Sequence, residues 1–314
     1  KLVAQLTEAG RAAVAVDLGG WEGYDLADFC RDFGQDALAR LRERARTAYR
    51  TAQQPPAIEA AGTRAGLLRV YWGDEMATIP APIDLVRGYL TVGTVALLIA
   101  PPESGKSTVA VDLACRVAQH HHVLYLAAEA GSNVRMQVAA WQRYHGGSIH
   151  QLGLVIDPIN LLNPDHLDAL RATITAHAVR LVVIDTLSAS APELDENSSA
   201  VAALIAQLNE LARATSCTLL LLHHPIKSNT TVYRGHSSLL ANTHTAMVIE
   251  RASPDDPLIK LSVIRHRGHR AEPAWFQLTP VELADPHGRG TLTVPVIVPS
   301  AKRRSDVLTA AHYA

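Results

Sequence analysis

Residues 95–108 read VALLIAPPESGKST, an apolar run followed by a short loop and then the start of a helical pattern. Such a loop leads into backbone N–H groups that the helix itself cannot satisfy, and these can donate to phosphate oxygens. Lys106 would then reach the β- and γ-phosphates of ATP, and the Ser107 hydroxyl would ligate Mg²⁺. The candidate nucleotide-binding segment is therefore Ala100, Pro101, Pro102, Glu103, Ser104, Gly105, Lys106, Ser107 and Thr108. It departs from GxxxxGK[ST] at Ala100, which stands where the first glycine belongs. It departs again at Glu103, a carboxylate that is unwelcome beside phosphates unless it points outward. A chance GKS in an ordinary strand-to-helix turn is the competing reading, and the strand–loop–helix context outweighs it.

Four further positions carry compatible chemistry. The run LVVID (residues 181–185) delivers Asp185 to the C-terminal edge of a buried strand, where ligands of open α/β sheets bind and where a carboxylate holds Mg²⁺ through water. An aspartate there can also simply cap the following turn. Glu129 ends the run VLYLAA and, if the strands lie side by side, can orient and deprotonate an attacking water. A glutamate favoured at a helix start is the alternative. His223 and His224 end the run CTLLLL, and adjacent residues on an extended strand point to opposite faces, which argues against a shared metal site. His120, His121 and His122 close an expected helix, where a charged imidazole is favourable against the dipole, and read as surface.

These residues need a scaffold, and the pattern supplies one. Short apolar runs at 95–99, 123–128, 154–156, 181–184 and 219–222 alternate with helices beginning at Lys106, Asp165 and Asn197. In the first helix Val109, Leu113 and Val117 fall at i, i+4 and i+8, a single buried stripe. Strand and helix in alternation imply a mainly parallel sheet covered on both faces. After Met247 the helices stop, and runs at 247–249, 258–264 and 292–298 predict a β-rich end. The expected fold class is α/β, with this core, a β-rich C-terminal part and a small N-terminal α/β segment.

Five ordered segments, GKST, YLAAEAGSNVRMQVAAW, LVVIDTLSASAPELDENSS, LLLLHHPIKS and YRGHSSLLANTHTAMVIE, resemble the RecA-like P-loop ATPases that include RepA-type plasmid replicative helicases. The resemblance runs from residue 76 to about 280. It implies that Glu129 is the catalytic glutamate, that Arg135 matches an arginine of the same segment, and that Asp185 is the metal-associated aspartate. It also implies that His223 or His224 senses the γ-phosphate. Residues 227–235, KSNTTVYRG, would lie beside single-stranded DNA in a ring of identical subunits, such as a hexamer. Lys227 and Arg234 are then candidate phosphate contacts, and residues 226–270 hold seven Lys or Arg against three Asp or Glu. Arg265 and Arg267 resemble the family's basic pair, which would reach a neighbouring subunit's ATP. A basic edge strand resisting aggregation is the other reading of that pair.

Before that core, residues 1–52 contain an expected strand at 12–16 and a helix at about 35–49, and VAVDLGGWEGYDLADFCRDFG resembles the end of a Toprim primase domain. The chain starts at Lys1, so it is expected to begin inside such a domain, without its metal-binding core and without primase activity. The expected division is a partial Toprim-like segment at 1–52, a linker at 53–75, the ATPase domain at 76–300 and a tail at 301–314. Formal net charge is −1, so any nucleic-acid contact must come from a local patch. Three dispersed cysteines fit a reducing compartment, and no apolar run approaches the roughly 20 residues that cross a bilayer. A cytoplasmic protein with no membrane partner is expected. The function that follows is an ATP-dependent, ring-forming DNA helicase or translocase, the helicase part of a primase–helicase in plasmid, phage or mobile-element replication. The alternative is a RecA-type nucleotide switch that binds DNA or partners without unwinding, and a small-molecule kinase leaves the HHPIK and YRGHSS segments unexplained.

Overall fold

A computed structural model describes residues 36–37, 39–40, 70–128, 131–147, 149–194, 200–224 and 237–300. The chain divides between Tyr71 and Trp72, and the elements below all belong to the second unit. The expected N-terminal strand, nearly all of its helix and the tail after residue 300 lie outside the described residues.

In chain order the elements are β1 (Asp84–Val86), β2 (Leu90–Thr91), β3 (Val95–Ile99), α1 (Lys106–Val117), β4 (Val123–Ala127), α2 (Gly131–His145), β5 (Leu152–Val155), α3 (Pro164–Ala176) and β6 (Leu181–Asp185). They continue with α4 (Leu187–Ser190), α5 (Ala200–Thr215), β7 (Thr218–His223), α6 (Ser237–Asn242), β8 (Thr245–Arg251), β9 (Leu258–His266), β10 (Ala274–Ala284) and β11 (Thr291–Pro299). Nine strands form one sheet in the order β11-β10-β9-β8-β3-β7-β6-β4-β5. From β8 to β5 every neighbour is parallel, and from β8 to β11 every neighbour is antiparallel. The α/β core expected from the sequence, with its mainly parallel sheet and β-rich C-terminal part, is the fold observed.

The inner strands β3, β4 and β7 are buried at every residue, which is why they read as unbroken apolar runs rather than as alternation. Their side chains nonetheless alternate between two cores. Ala96, Leu98, Leu220, Leu222, Tyr125 and Val183 join the core with α1 and α2. Val95, Leu97, Leu219, Leu221, Val182 and Ile184 join the core with α3 and α5.

Several boundaries and elements differ from expectation. The helix expected from Asp165 starts at Pro164, with the Asn163 side chain accepting from the Asp165 N–H, a cap followed by proline at the first helical position. The strand expected at 154–156 is Leu152–Val155, and β4 ends one residue early at Ala127. The helix expected from Asn197 is described from Ala200, residues 195–199 lying outside. Buried residues cover ten of the twelve positions of α1, not one stripe. The reason is that Phe276, Val281, Val296 and Ile297 of β10 and β11, together with Trp141 of α2, pack into the same core as α1. Among the described residues no helix is long and apolar enough to cross a membrane.

Candidate active site

Parallel strands in register carry their C-terminal ends to one edge. Ile99 pairs with His223, and Ala127 pairs with Asp185, so β3, β7, β6 and β4 place the loop, the histidines, the aspartate and the end of β4 at Ala127 side by side. The Ala128 N–H donates to the Asp185 carbonyl at 3.2 Å. Glu129 itself lies outside the described residues.

The loop from Ala100 to Gly105 turns the chain from β3 into α1. Gly105 takes the N-cap position at φ 87°, a left-handed conformation that suits glycine, and contributes no side-chain cap. The first intrahelical bond runs from the Val109 N–H to the Gly105 carbonyl, so the earlier N–H groups of the turn have no helical acceptor and face outward as donors. Lys106 is buried, as are Ser104 and Thr108, while Ser107 is half-buried. The Ser104 hydroxyl donates to the Pro101 carbonyl at 2.6 Å and closes the loop on itself. Glu103 is exposed, the outward arrangement that a phosphate-binding loop requires of a carboxylate. Its carbonyl accepts from Arg251 Nη1 at 2.8 Å, tying the loop to the end of β8.

The two histidines occupy different environments. His223 shares the parity of Leu219 and Leu221, is buried and completes β7. His224, one residue on, has its two ring nitrogens each 3.1 Å from Lys106 Nζ. The histidine that meets the loop lysine is therefore His224. Asp185 shares the face of Val183, and its register places it diagonal to Tyr125 on β4. The Tyr125 hydroxyl donates to Asp185 Oδ2 at 2.7 Å. Burial, followed by the neighbouring Asp185, raises the phenol well above its ordinary range, so it stays a donor.

Behind the loop, Asp112 of α1 is buried and accepts from Arg116 Nε at 2.7 Å and Trp141 Nε1 at 2.8 Å. This fixes α2 against α1, and α2 begins two residues after Glu129. At Gly131 an added Cβ would press on the side chain of the exposed Ile156, which would have to shift. Tyr125, Asp112, Trp141 and Arg251 were not singled out from the sequence. Only Tyr125 left a signal, as a lone aromatic in an aliphatic strand.

A family model described as an AAA domain matches residues 61–230, more than half of the chain, spanning the loop, Asp185 and both histidines. The chain belongs to the AAA domain family. Among solved structures, this AAA domain is similar to the RadB recombinase, with 18% identity, a TM-score of 0.49 and coverage of 60% of this chain and 89% of that one. A KaiC-like protein from the hyperthermophilic archaeon Pyrococcus horikoshii OT3 matches with 16% identity and a TM-score of 0.48, covering 68% and 94%. A third solved structure, an ATPase domain, matches with 12% identity and a TM-score of 0.47, covering 65% and 92%.

In this AAA domain the donor set at the strand edge fits a magnesium nucleotide. Ser107 and Asp185 offer hard oxygens, and Lys106 with the backbone N–H groups of the α1 start offers cationic and polar donors for phosphate. No group of three or more His, Cys, Asp or Glu able to hold a metal occurs among the described residues.

Lys227 and Arg234 fall outside the described residues, and Arg135 is exposed on α2. Because β9 runs antiparallel to β8, Arg265 and Arg267 sit at the sheet edge opposite the loop, Arg265 pairing with Ala246 near the start of β8. Crossing a five-residue strand takes about 16 Å, so neither reaches the nucleotide edge of its own chain. Both guanidinium groups donate to the Ala241 carbonyl near the end of α6, at 3.1 and 3.0 Å. His120–His122 follow the end of α1 rather than closing it, and only His120 and His122 are exposed. His121 is half-buried, and burial with the nearby Arg180 lowers its pKa to about 4, so the expected charged imidazole is neutral at that position.

Proposed function

We propose that this AAA domain hydrolyses ATP and drives a DNA helicase or translocase of plasmid, phage or mobile-element replication, acting as a ring and as the helicase part of a primase–helicase. The observation that carries the reading is the alignment of the Lys106–Ser107 loop, His224 and Asp185 on one strand edge, with Lys106 Nζ 3.1 Å from the His224 ring. In this reading the backbone N–H groups of the loop and Lys106 bind the β- and γ-phosphates, and Ser107 and Asp185 hold Mg²⁺, whose charge neutralises the phosphate oxygens. Glu129 orients and deprotonates the attacking water. His224 exchanges its contact with Lys106 for the γ-phosphate and reports its loss to the segment that follows, where Lys227 and Arg234 contact single-stranded DNA.

Arg265 and Arg267, remote from their own chain's loop, serve a neighbouring subunit in this reading, where they stabilise the charge on the transferred phosphoryl group. The RepA-type and Toprim-like resemblances support the replicative setting, and the proposed ATPase domain extends over 76–300. Ala100 and Glu103 in the loop favour one competing function, a nucleotide switch that assembles without unwinding.

Measuring ATP turnover with and without single-stranded DNA, alongside displacement of a labelled strand, separates the two. A motor shows DNA-stimulated turnover and displacement. Nucleotide-dependent assembly with no displacement at any ATP concentration refutes the motor.

A further inference from the structure

Tyr125 stands in the middle of β4 with its ring wholly buried between the sheet and α1, in the core that also holds Cys115, Ala127 and Val183. A ring packed on all sides has one place for its hydroxyl, and here that place is 2.7 Å from Asp185 Oδ2. The carboxylate of an aspartate otherwise turns freely, because its terminal torsion is broad. Oδ1 accepts no hydrogen bond among the described residues, so the tyrosine engages one oxygen and leaves the other for the nucleotide side. We propose that Tyr125 is a positioning residue for the metal–nucleotide site, holding the Asp185 carboxylate in the rotation that presents Oδ1 to the magnesium shell. The proposal rests on the reading of Asp185 as the metal-associated carboxylate.

A purely structural role would look the same in coordinates, since a buried phenol needs an acceptor whatever the acceptor does. The two roles differ in what they do to metal dependence. Partners that orient a metal-associated group typically change metal affinity by about 10–100-fold when removed. A hydroxyl that only satisfies packing changes stability and leaves the metal requirement alone.

The test is a titration of Mg²⁺ against binding of a fluorescent ATP analogue, with binding in EDTA as the metal-free reference. It is run on wild type, Tyr125→Phe, Tyr125→Leu, Asp185→Asn and the double variant Y125F/D185N, each below its own melting temperature. We expect Tyr125→Phe to raise the Mg²⁺ concentration for half-saturation by about tenfold with binding in EDTA unchanged. Tyr125→Leu, which lacks the same hydroxyl but packs less well, should give a similar metal shift at a larger loss of stability. Asp185→Asn should itself raise the requirement, and adding Tyr125→Phe to it should change nothing more. An unchanged Mg²⁺ requirement in Tyr125→Phe overturns the proposal, as does a shift that tracks lost packing or that persists in the Asn background. If Asp185→Asn leaves the requirement untouched, the assignment of Asp185 fails. If Asp185→Asn raises it and Tyr125→Phe does not, only the role of Tyr125 fails.

Discussion

Glu103 holds a positive φ of 61° with an exposed side chain, one residue before Ser104 closes the loop. The left-handed region disfavours a side chain with a Cβ and admits glycine freely. Glu103→Gly therefore removes both local strain and a carboxylate beside the phosphate site. We expect ATP to bind roughly threefold more tightly at low salt, with the gain fading as salt screens the carboxylate. Calorimetric titration at two salt concentrations measures it, and unchanged or weaker binding at low salt contradicts it. The placement of Lys106, Ser107 and Asp185 at one strand edge was legible in the sequence because it follows from local order, a strand followed by a loop or by a carboxylate. That His224 rather than His223 meets Lys106 was not, because it depends on which face of β7 meets α1. Arg251 left no signal at all, since its bond to the Glu103 carbonyl spans 148 positions and comes from sheet pairing.

At the scale of elements, the loop helix is held from behind. Asp112 is 1% exposed and has its buried side-chain oxygens satisfied by Arg116 and Trp141, which locks α2 to α1. Trp141→Phe preserves an aromatic ring and deletes one donor to a buried carboxylate. The expected cost is about 1–3 kcal/mol in urea unfolding, with no change in the slope of the transition; a cost near zero would show that the bond does not hold the pair of helices. The same packing explains what the sequence obscured. Only Val134, Ala140 and Trp141 are buried along the fifteen residues of α2, too few to show a helical stripe. β10 was hidden by Pro280, which lies opposite Pro295 of β11 and beyond the stretch of β10 that pairs with β9. There a missing N–H costs the ladder little. The parallel strands were legible for the opposite reason, since burial on both faces wrote them as unbroken apolar runs.

Across the folded unit, His121, His145, His244 and His266 all have lowered pKa values, with burial the leading cause in each. A histidine with a depressed folded pKa binds fewer protons folded than unfolded below about pH 6.5, so stability is full above that pH. It is lost as pH falls toward the folded values, about 4 for His121. The melting temperature should therefore drop by about 5–10 °C between pH 7 and pH 5, and His121→Gln should reduce the drop. A melting temperature flat over that interval contradicts this account of the buried imidazoles. Placing Arg265 and Arg267 at the edge opposite the loop makes an assembly, rather than one chain, the unit of catalysis in the proposed function. All of it depends on one site. The most direct test is MgATP binding and steady-state hydrolysis by wild type and Lys106→Ala at equal, verified folding. The account predicts turnover by wild type and a loss of at least about 100-fold in Lys106→Ala, the scale on which removing a transition-state charge partner acts. Equal binding and equal turnover by the two proteins would contradict it.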